Sequence, residues 1–148
     1  MNELRFISGS AEETQAIGNR LGRHIAQNCK GAVVCMYGDL GAGKTVFIKG
    51  IASYIGISDR DIGSASFVIV AEYETEPVFY HIDLYRIDSD AALDELGIWE
   101  YLDSDAITVI EWAERLGRMP EGAFSVEIKY TSEDEREIII KGTDIGQN

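Results

Sequence analysis

The chain has 148 residues, is 45% hydrophobic and carries a net charge of -13, which suits one soluble domain with a sizeable core and offers no run near the ~20 apolar residues of a membrane-spanning helix. The charge is lopsided, +1 over residues 1–71 and -14 over residues 72–148, so the second half repels a nucleic-acid backbone and argues against direct, tight nucleic-acid binding, serving solubility or a protein partner instead. No secretory pattern opens the chain, and Cys29 and Cys35 fit neither zinc nor C-x-x-C spacing, so a cytoplasmic protein with reduced thiols is expected, Cys35 in the core.

Leu4 to Ser8 alternates and predicts a strand. Ser10-Ala11-Glu12-Glu13 has capping-box spacing and predicts the start of a helix. Ile17, Leu21 and Ile25 repeat every four residues, which gives that helix one buried face through about Gln27. Ala32 to Tyr37 is a short apolar run that reads as a buried strand. It leads into Gly38-Asp39-Leu40-Gly41-Ala42-Gly43-Lys44-Thr45, which matches G-x-x-x-x-G-K-[ST].

The chemistry of a phosphate-binding loop explains these residue types. Glycines let successive N–H groups turn inward onto phosphate oxygens. Lys44 supplies a point charge for the β/γ-phosphates, and the Thr45 hydroxyl is a standard Mg²⁺ ligand. Apolar residues at helical spacing from Val46 to Ile55, ended by Gly56, predict a helix whose positive end faces the anion. Strand, loop and helix are the context the motif requires. Nucleotide contacts are therefore expected on Asp39, Leu40, Gly41, Ala42, Gly43, Lys44, Thr45 and Val46.

Beyond a polar link at 58–61 lies Ser64-Ala65-Ser66-Phe67. Ser64 or Ser66 can reach a γ-phosphate or Mg²⁺, or belong to an ordinary serine-containing loop. Phe67–Tyr73 and Val78–Asp83 read as two strands joined by a short turn, which favours a hairpin. His81 and Asp83 then share a face. A carboxylate at a strand end suits Mg²⁺, directly or through water; it also marks where a strand stops. His81 reads as a structural histidine or a chemical one.

A polar helix capped by Ser89 or Asp90 follows, with Leu93, Leu96 and Ile98 inward and Gly97 as a stop. Trp99, Tyr101 and Leu102 are expected to pack. Ala106 to Trp112 is a second apolar strand ending in an acid. Glu111 can orient a water, act as a base or hold a metal's outer shell, or simply pair with Arg115. A short helix from Ala113, a turn at 119–122 and a hairpin formed by 124–130 and 136–141 complete the chain, with the last six residues frayed.

Taken in order, GDLGAGKT, the Ser-x-Ser-Phe segment, His81-Ile82-Asp83-Leu84-Tyr85-Arg86 and Val109-Ile110-Glu111-Trp112 resemble the TsaE (YjeE) family of bacterial P-loop ATPases over nearly the whole chain. The resemblance implies an α/β fold: one P-loop NTPase domain over residues 1–148, a central mixed sheet with flanking helices and a C-terminal antiparallel hairpin. It implies a weak ATPase using ATP and Mg²⁺, needed to form N6-threonylcarbamoyladenosine at position 37 of tRNAs reading ANN codons. The implied partners are the TsaD–TsaB transferase pair, with tRNA met only indirectly. By resemblance Lys44 and Thr45 bind phosphate and Mg²⁺, Asp83 is the Mg²⁺-side acid, and Glu111 and Trp112 belong to the active site. The family usually has Ser-Pro-Thr-Phe where this chain has Ser64-Ala65-Ser66-Phe67; Ser66 keeps a hydroxyl for metal or phosphate, and the lost proline frees the backbone. The competing readings are a small-molecule kinase, for which Arg115 and Arg118 make a poor lid, and a nucleotide-gated binding switch.

Overall fold

Seven strands lie in one mixed sheet, in the order β1-β7-β6-β2-β5-β4-β3. The computed structural model describes residues 3–38, 43–62 and 70–142. The elements are β1 (Glu3–Ser8), α1 (Ala11–Asn28), β2 (Ala32–Gly38), α2 (Lys44–Ile55), β3 (Val70–Tyr73), β4 (Phe79–Asp83), α3 (Asp90–Leu96), α4 (Ile98–Leu102), β5 (Ile107–Glu111), β6 (Phe124–Tyr130) and β7 (Arg136–Lys141). Two 3-10 turns, Asp59–Asp61 and Ala113–Leu116, complete the described set.

The four central strands β6, β2, β5 and β4 run parallel. The edges are antiparallel: β3 pairs with β4, and β7 pairs with both β6 and β1. Both expected hairpins therefore form. Parallel strands buried on both faces are read as continuous apolar runs, and β5 fits, being buried at every position.

One face of the sheet carries α1 and α2. Leu21, Ile25, Phe47, Ile48 and Ile51 pack there against Val34, Met36, Val109, Val126 and Ile140. Full burial of side chains of this size contributes roughly 1.5–3 kcal/mol each. The other face carries α3, α4 and the turn at 113–116, with Leu93, Ile98 and Leu116 against Cys35, Ile82 and Ile110. That second layer stops at β2; on β1 the outward residues Glu3, Arg5 and Ile7 are exposed.

The first helix starts as its sequence predicts. The Ser10 hydroxyl accepts from the Glu13 N–H at 3.1 Å, and the Glu13 carboxylate accepts in return from the N–H of Gly9 rather than of Ser10. Helices α1 and α2 touch through backbone. A Cβ on Gly18 would run into the Phe47 carbonyl, one on Gly22 into that of Ile51, and one on Gly50 into that of Gln15. These small residues let α1 clamp the helix that begins at Lys44.

The short helix expected after Trp112 forms, as a single 3-10 turn. Two details differ from expectation. Gly97 ends α3 and, with φ 75°, immediately starts a separate helix α4. Trp99 does not pack; it is 49% exposed, because α4 is only five residues long and turns Ile98 inward instead. Tyr101 does pack, edge-on to Tyr80 at 4.8 Å.

Candidate active site at the strand ends

Register puts the chemistry in one row. Met36 on β2 pairs with Glu111 on β5, and Glu111 pairs with Asp83 on β4. Paired residues of parallel strands point to one face, and Met36 belongs to the α1–α2 core. Both acids therefore point toward the layer that carries Lys44, at the carboxyl ends of three parallel strands. Open α/β sheets place ligands at that edge.

Gly38 ends β2 with φ 136°, beside Ile128 of β6, whose carbonyl a Cβ would strike. Gly43 caps α2 with φ 105° and no side-chain hydrogen bond. Both conformations favour glycine, and a glycine N-cap offers the first N–H groups of α2 no side-chain acceptor. Asp39, Leu40, Gly41 and Ala42, and the segment Ser64-Ala65-Ser66-Phe67, lie outside the described residues, as do the last six residues. Thr45 and Val46 fall in the first turn of α2.

Lys44 is 5% exposed. Its ammonium donates to the Gly38 carbonyl at 3.1 Å and stands 4.6 Å from the centroid of the Trp112 ring. Trp112 is held in the left-handed region at φ 59°, uncommon for a bulky side chain. That turn comes directly after Glu111 and swings the indole across the site. Tyr85 packs against the ring at 5.0 Å and the Arg115 guanidinium lies 5.8 Å from its centroid.

Arg115 does not pair with Glu111. Glu111 is instead bonded to His81 of β4, Nε2 to Oε2 at 2.7 Å, with both residues buried. A carboxylate only accepts, so the ring donates from Nε2. Asp83 accepts the Tyr85 N–H through Oδ1 at 2.9 Å. Among the described residues no three acids, histidines or cysteines converge as a metal cage. A hydroxyl at Thr45 with one or two carboxylates suits a cation that takes its other ligands from phosphate and water, which is how Mg²⁺ is usually held.

Two cavities open near the start of α2 and the end of β2, one on the α1–α2 side and one on the opposite face of the sheet. One, of about 310 Å³, is lined by Ser10, Thr14, Gly43, Val46, Asp134 and Arg136 among others. It joins the start of α2 to the tip of the last hairpin. Sequence reading missed it, because its walls come from segments more than a hundred residues apart. The nearest hint was a buried Thr14, whose hydroxyl bonds Ser8 at 2.7 Å.

The other cavity, of about 500 Å³, lies between Gly38, Trp112, Ser125 and Glu127. Tyr37 lines it, two residues along β2 from the buried Cys35. Burial pushes the Cys35 thiol up to about 11 and, with the neighbouring thiol, the Tyr37 phenol up to about 12. Both cysteines are free, Cys29 half-buried.

Comparison with known proteins identifies relatives over most of the chain. The family model for threonylcarbamoyl adenosine biosynthesis protein TsaE matches residues 8–138. The tRNA threonylcarbamoyladenosine biosynthesis protein TsaE of Bacillus subtilis is 36% identical over 140 residues, covering 93% of this chain and 85% of its own. The TsaE of Treponema pallidum is 34% identical over 138 residues, covering 93% and 99%. The crystal structure of Bacillus subtilis YdiB superposes with a TM-score of 0.74 at 33% identity, over 94% of this chain and 84% of that one. With the family model spanning every element from the end of β1 into β7, the chain belongs to the TsaE family of tRNA threonylcarbamoyladenosine biosynthesis proteins.

Proposed function

We propose that this protein is a Mg²⁺-dependent ATPase that serves N6-threonylcarbamoyladenosine formation on ANN-reading tRNAs, in the cytoplasm, as a partner of a TsaD–TsaB transferase pair. The observation that carries the reading is the pair Asp83 and Glu111 abreast at the ends of β4 and β5, beside β2, whose last residue, Gly38, accepts from Lys44 at the start of α2. A cation, two acids and the open start of a helix are what phosphoryl transfer to water needs, since positioning and charge do nearly all the work.

Lys44 exchanges the Gly38 carbonyl for phosphate oxygens. The N–H groups of the Gly38–Thr45 turn take the remaining phosphate oxygens. Thr45 and Asp83, with Ser66 as a further hydroxyl, would hold Mg²⁺, which would supply neutralisation of phosphate charge. Glu111 holds and polarises the attacking water. Trp112 shields Lys44 from solvent, which strengthens the ammonium's interaction with anions. The cavity along Ser10, Thr14 and Val46 is adjacent to the turn and large enough for the nucleoside end.

The acidic half favours a protein partner over bare tRNA. Arg115 lies on Trp112 rather than projecting as a kinase lid, which speaks against transfer to a small acceptor. The test is phosphate release from ATP with the chain alone, with the transferase pair, and with candidate small acceptors. Release stimulated by the pair is expected. A phosphorylated acceptor would replace this reading with a kinase, and nucleotide-dependent binding to the pair without release would leave a switch.

A further inference from the structure

We infer that His81 is a positioning residue for Glu111, an inference that rests on the ATPase reading. The two side chains meet diagonally. Asp83 is the register partner of Glu111, and His81 sits two residues earlier on β4, opposite Val109. Diagonal neighbours on one sheet face remain within reach of long or aromatic side chains. The bond from His81 Nε2 to Glu111 Oε2 is 2.7 Å, with His81 4% and Glu111 7% exposed.

That geometry has a purpose beyond filling space. Asp83 and Glu111 stand abreast with like charge, on strands separated by roughly 5 Å. Left alone, the Glu111 carboxylate would swing away from Asp83 into whichever rotamer relieved the repulsion. His81 draws Oε2 back down the strand and leaves Oε1 as the oxygen available at the strand end. Among the described residues no other side chain bonds Glu111. The imidazole therefore sets which oxygen of Glu111 meets the water, while touching neither water nor nucleotide itself. His81 is pinned in turn by burial between β3 and β5, its backbone paired with Ala71 and Val109.

The test compares His81→Leu, which removes the donor, with His81→Gln, whose side-chain amide nitrogen can stand where Nε2 stands. Phosphate release in His81→Leu should fall about 10–100-fold, the usual loss on removing a group that orients a catalytic ligand. Affinity for ATP with Mg²⁺ should stay within about threefold in the same variant, because His81 does not touch nucleotide. His81→Gln should recover most of the rate. Adding His81→Leu to Glu111→Gln should cost nothing further, since the two act as one unit. Turnover retained in His81→Leu, or losses that multiply in the double variant, would overturn the assignment.

A readout independent of turnover is the imidazole nitrogen spectrum of the unsubstituted chain and of Glu111→Ala. The proton should sit on Nε2, protected from exchange in the first and unprotected in the second. A proton on Nδ1 in the unsubstituted chain, or protection unchanged by Glu111→Ala, would overturn the assignment even where no phosphate release is found. Absent release from the unsubstituted chain under every condition would instead remove the ATPase reading.

Discussion

Replacing Lys44 with methionine separates two properties that a buried cation ties together. Lys44 is buried with one carbonyl and one ring as its contacts, and among the described residues no carboxylate pairs with it. Two phosphate charges brought to about 4 Å would each attract the ammonium by about 4 kcal/mol at an effective dielectric near 20, about 8 kcal/mol together. Giving up the Gly38 carbonyl, and at most the Trp112 contact as well, costs no more than about 2–5 kcal/mol, from one charge-assisted hydrogen bond and one cation–π contact. The difference is at least about 3 kcal/mol, or at least ~100-fold in ATP affinity. Folding should respond the other way. Methionine keeps most of the volume and removes a charge whose burial is costly, so stability should stay within about 1 kcal/mol or rise. Calorimetric titration with ATP and Mg²⁺, beside urea denaturation, reads both. An ATP affinity within threefold of the unsubstituted chain would refute the phosphate role of Lys44. A fall of more than about 2 kcal/mol in stability would refute the account of it as a strained buried charge.

Three further predictions follow from other parts of the molecule. Glu111→Gln and Asp83→Asn should each lower phosphate release by about 100-fold or more while leaving the melting curve in place, because the amides keep the size and the oxygen that accepts from Tyr85; unchanged release in either removes that residue from the site. Gly50→Ala drives a methyl into the Gln15 carbonyl and should destabilise by about 1–3 kcal/mol, read as a lowered urea midpoint, with equal midpoints disproving the close contact of α1 and α2. Cys35 and Tyr37 hold their protons more tightly folded than unfolded, up to about 11 and about 12. Their contribution to stability is therefore complete below pH ~9 and drains away as pH rises to ~12; a urea midpoint that does not fall over that interval contradicts the burial of the pair.

Local chemistry was legible in the chain wherever a short motif carried its own geometry. Ser10 and Glu13 announce a helix start, Gly97 a stop, and the alternation of His81 and Asp83 a shared face, and each appears in the fold. The neighbourhood of Asp83 and Glu111 was only half legible. Each strand ends in an acid, yet nothing in either segment states that β4 and β5 are adjacent and parallel with those acids abreast. For the same reason Arg115 stood as an alternative partner for Glu111. It is close in sequence, but the strand-end turn at Trp112 sends it to the ring, while His81 arrives from thirty residues away. Trp99 misled because aromatic residues usually bury; here the inward positions of a five-residue helix go to Ile98, with Tyr101 and Leu102 packing beside it, and Trp99 falls on the outer side. The cavity behind Gly43 needs Ser10 and Arg136 on opposite ends of the chain to meet, which no local pattern records.

The row of Met36, Glu111 and Asp83 also limits how the chain can change in length. Side chains alternate along a strand, so one residue inserted within β5 ahead of Glu111 would turn its carboxylate through to the opposite face, among Cys35, Ile82 and Leu116. The same insertion in the turn ahead of β6, at Gly117 to Met119, meets only exposed residues. Two substitution-free variants of equal length would thus differ completely, one losing an acid from the strand ends and the other lengthening a solvent-exposed turn. Indels in descendants of this chain should accumulate at that turn and stay out of the strands that count residues for the acids.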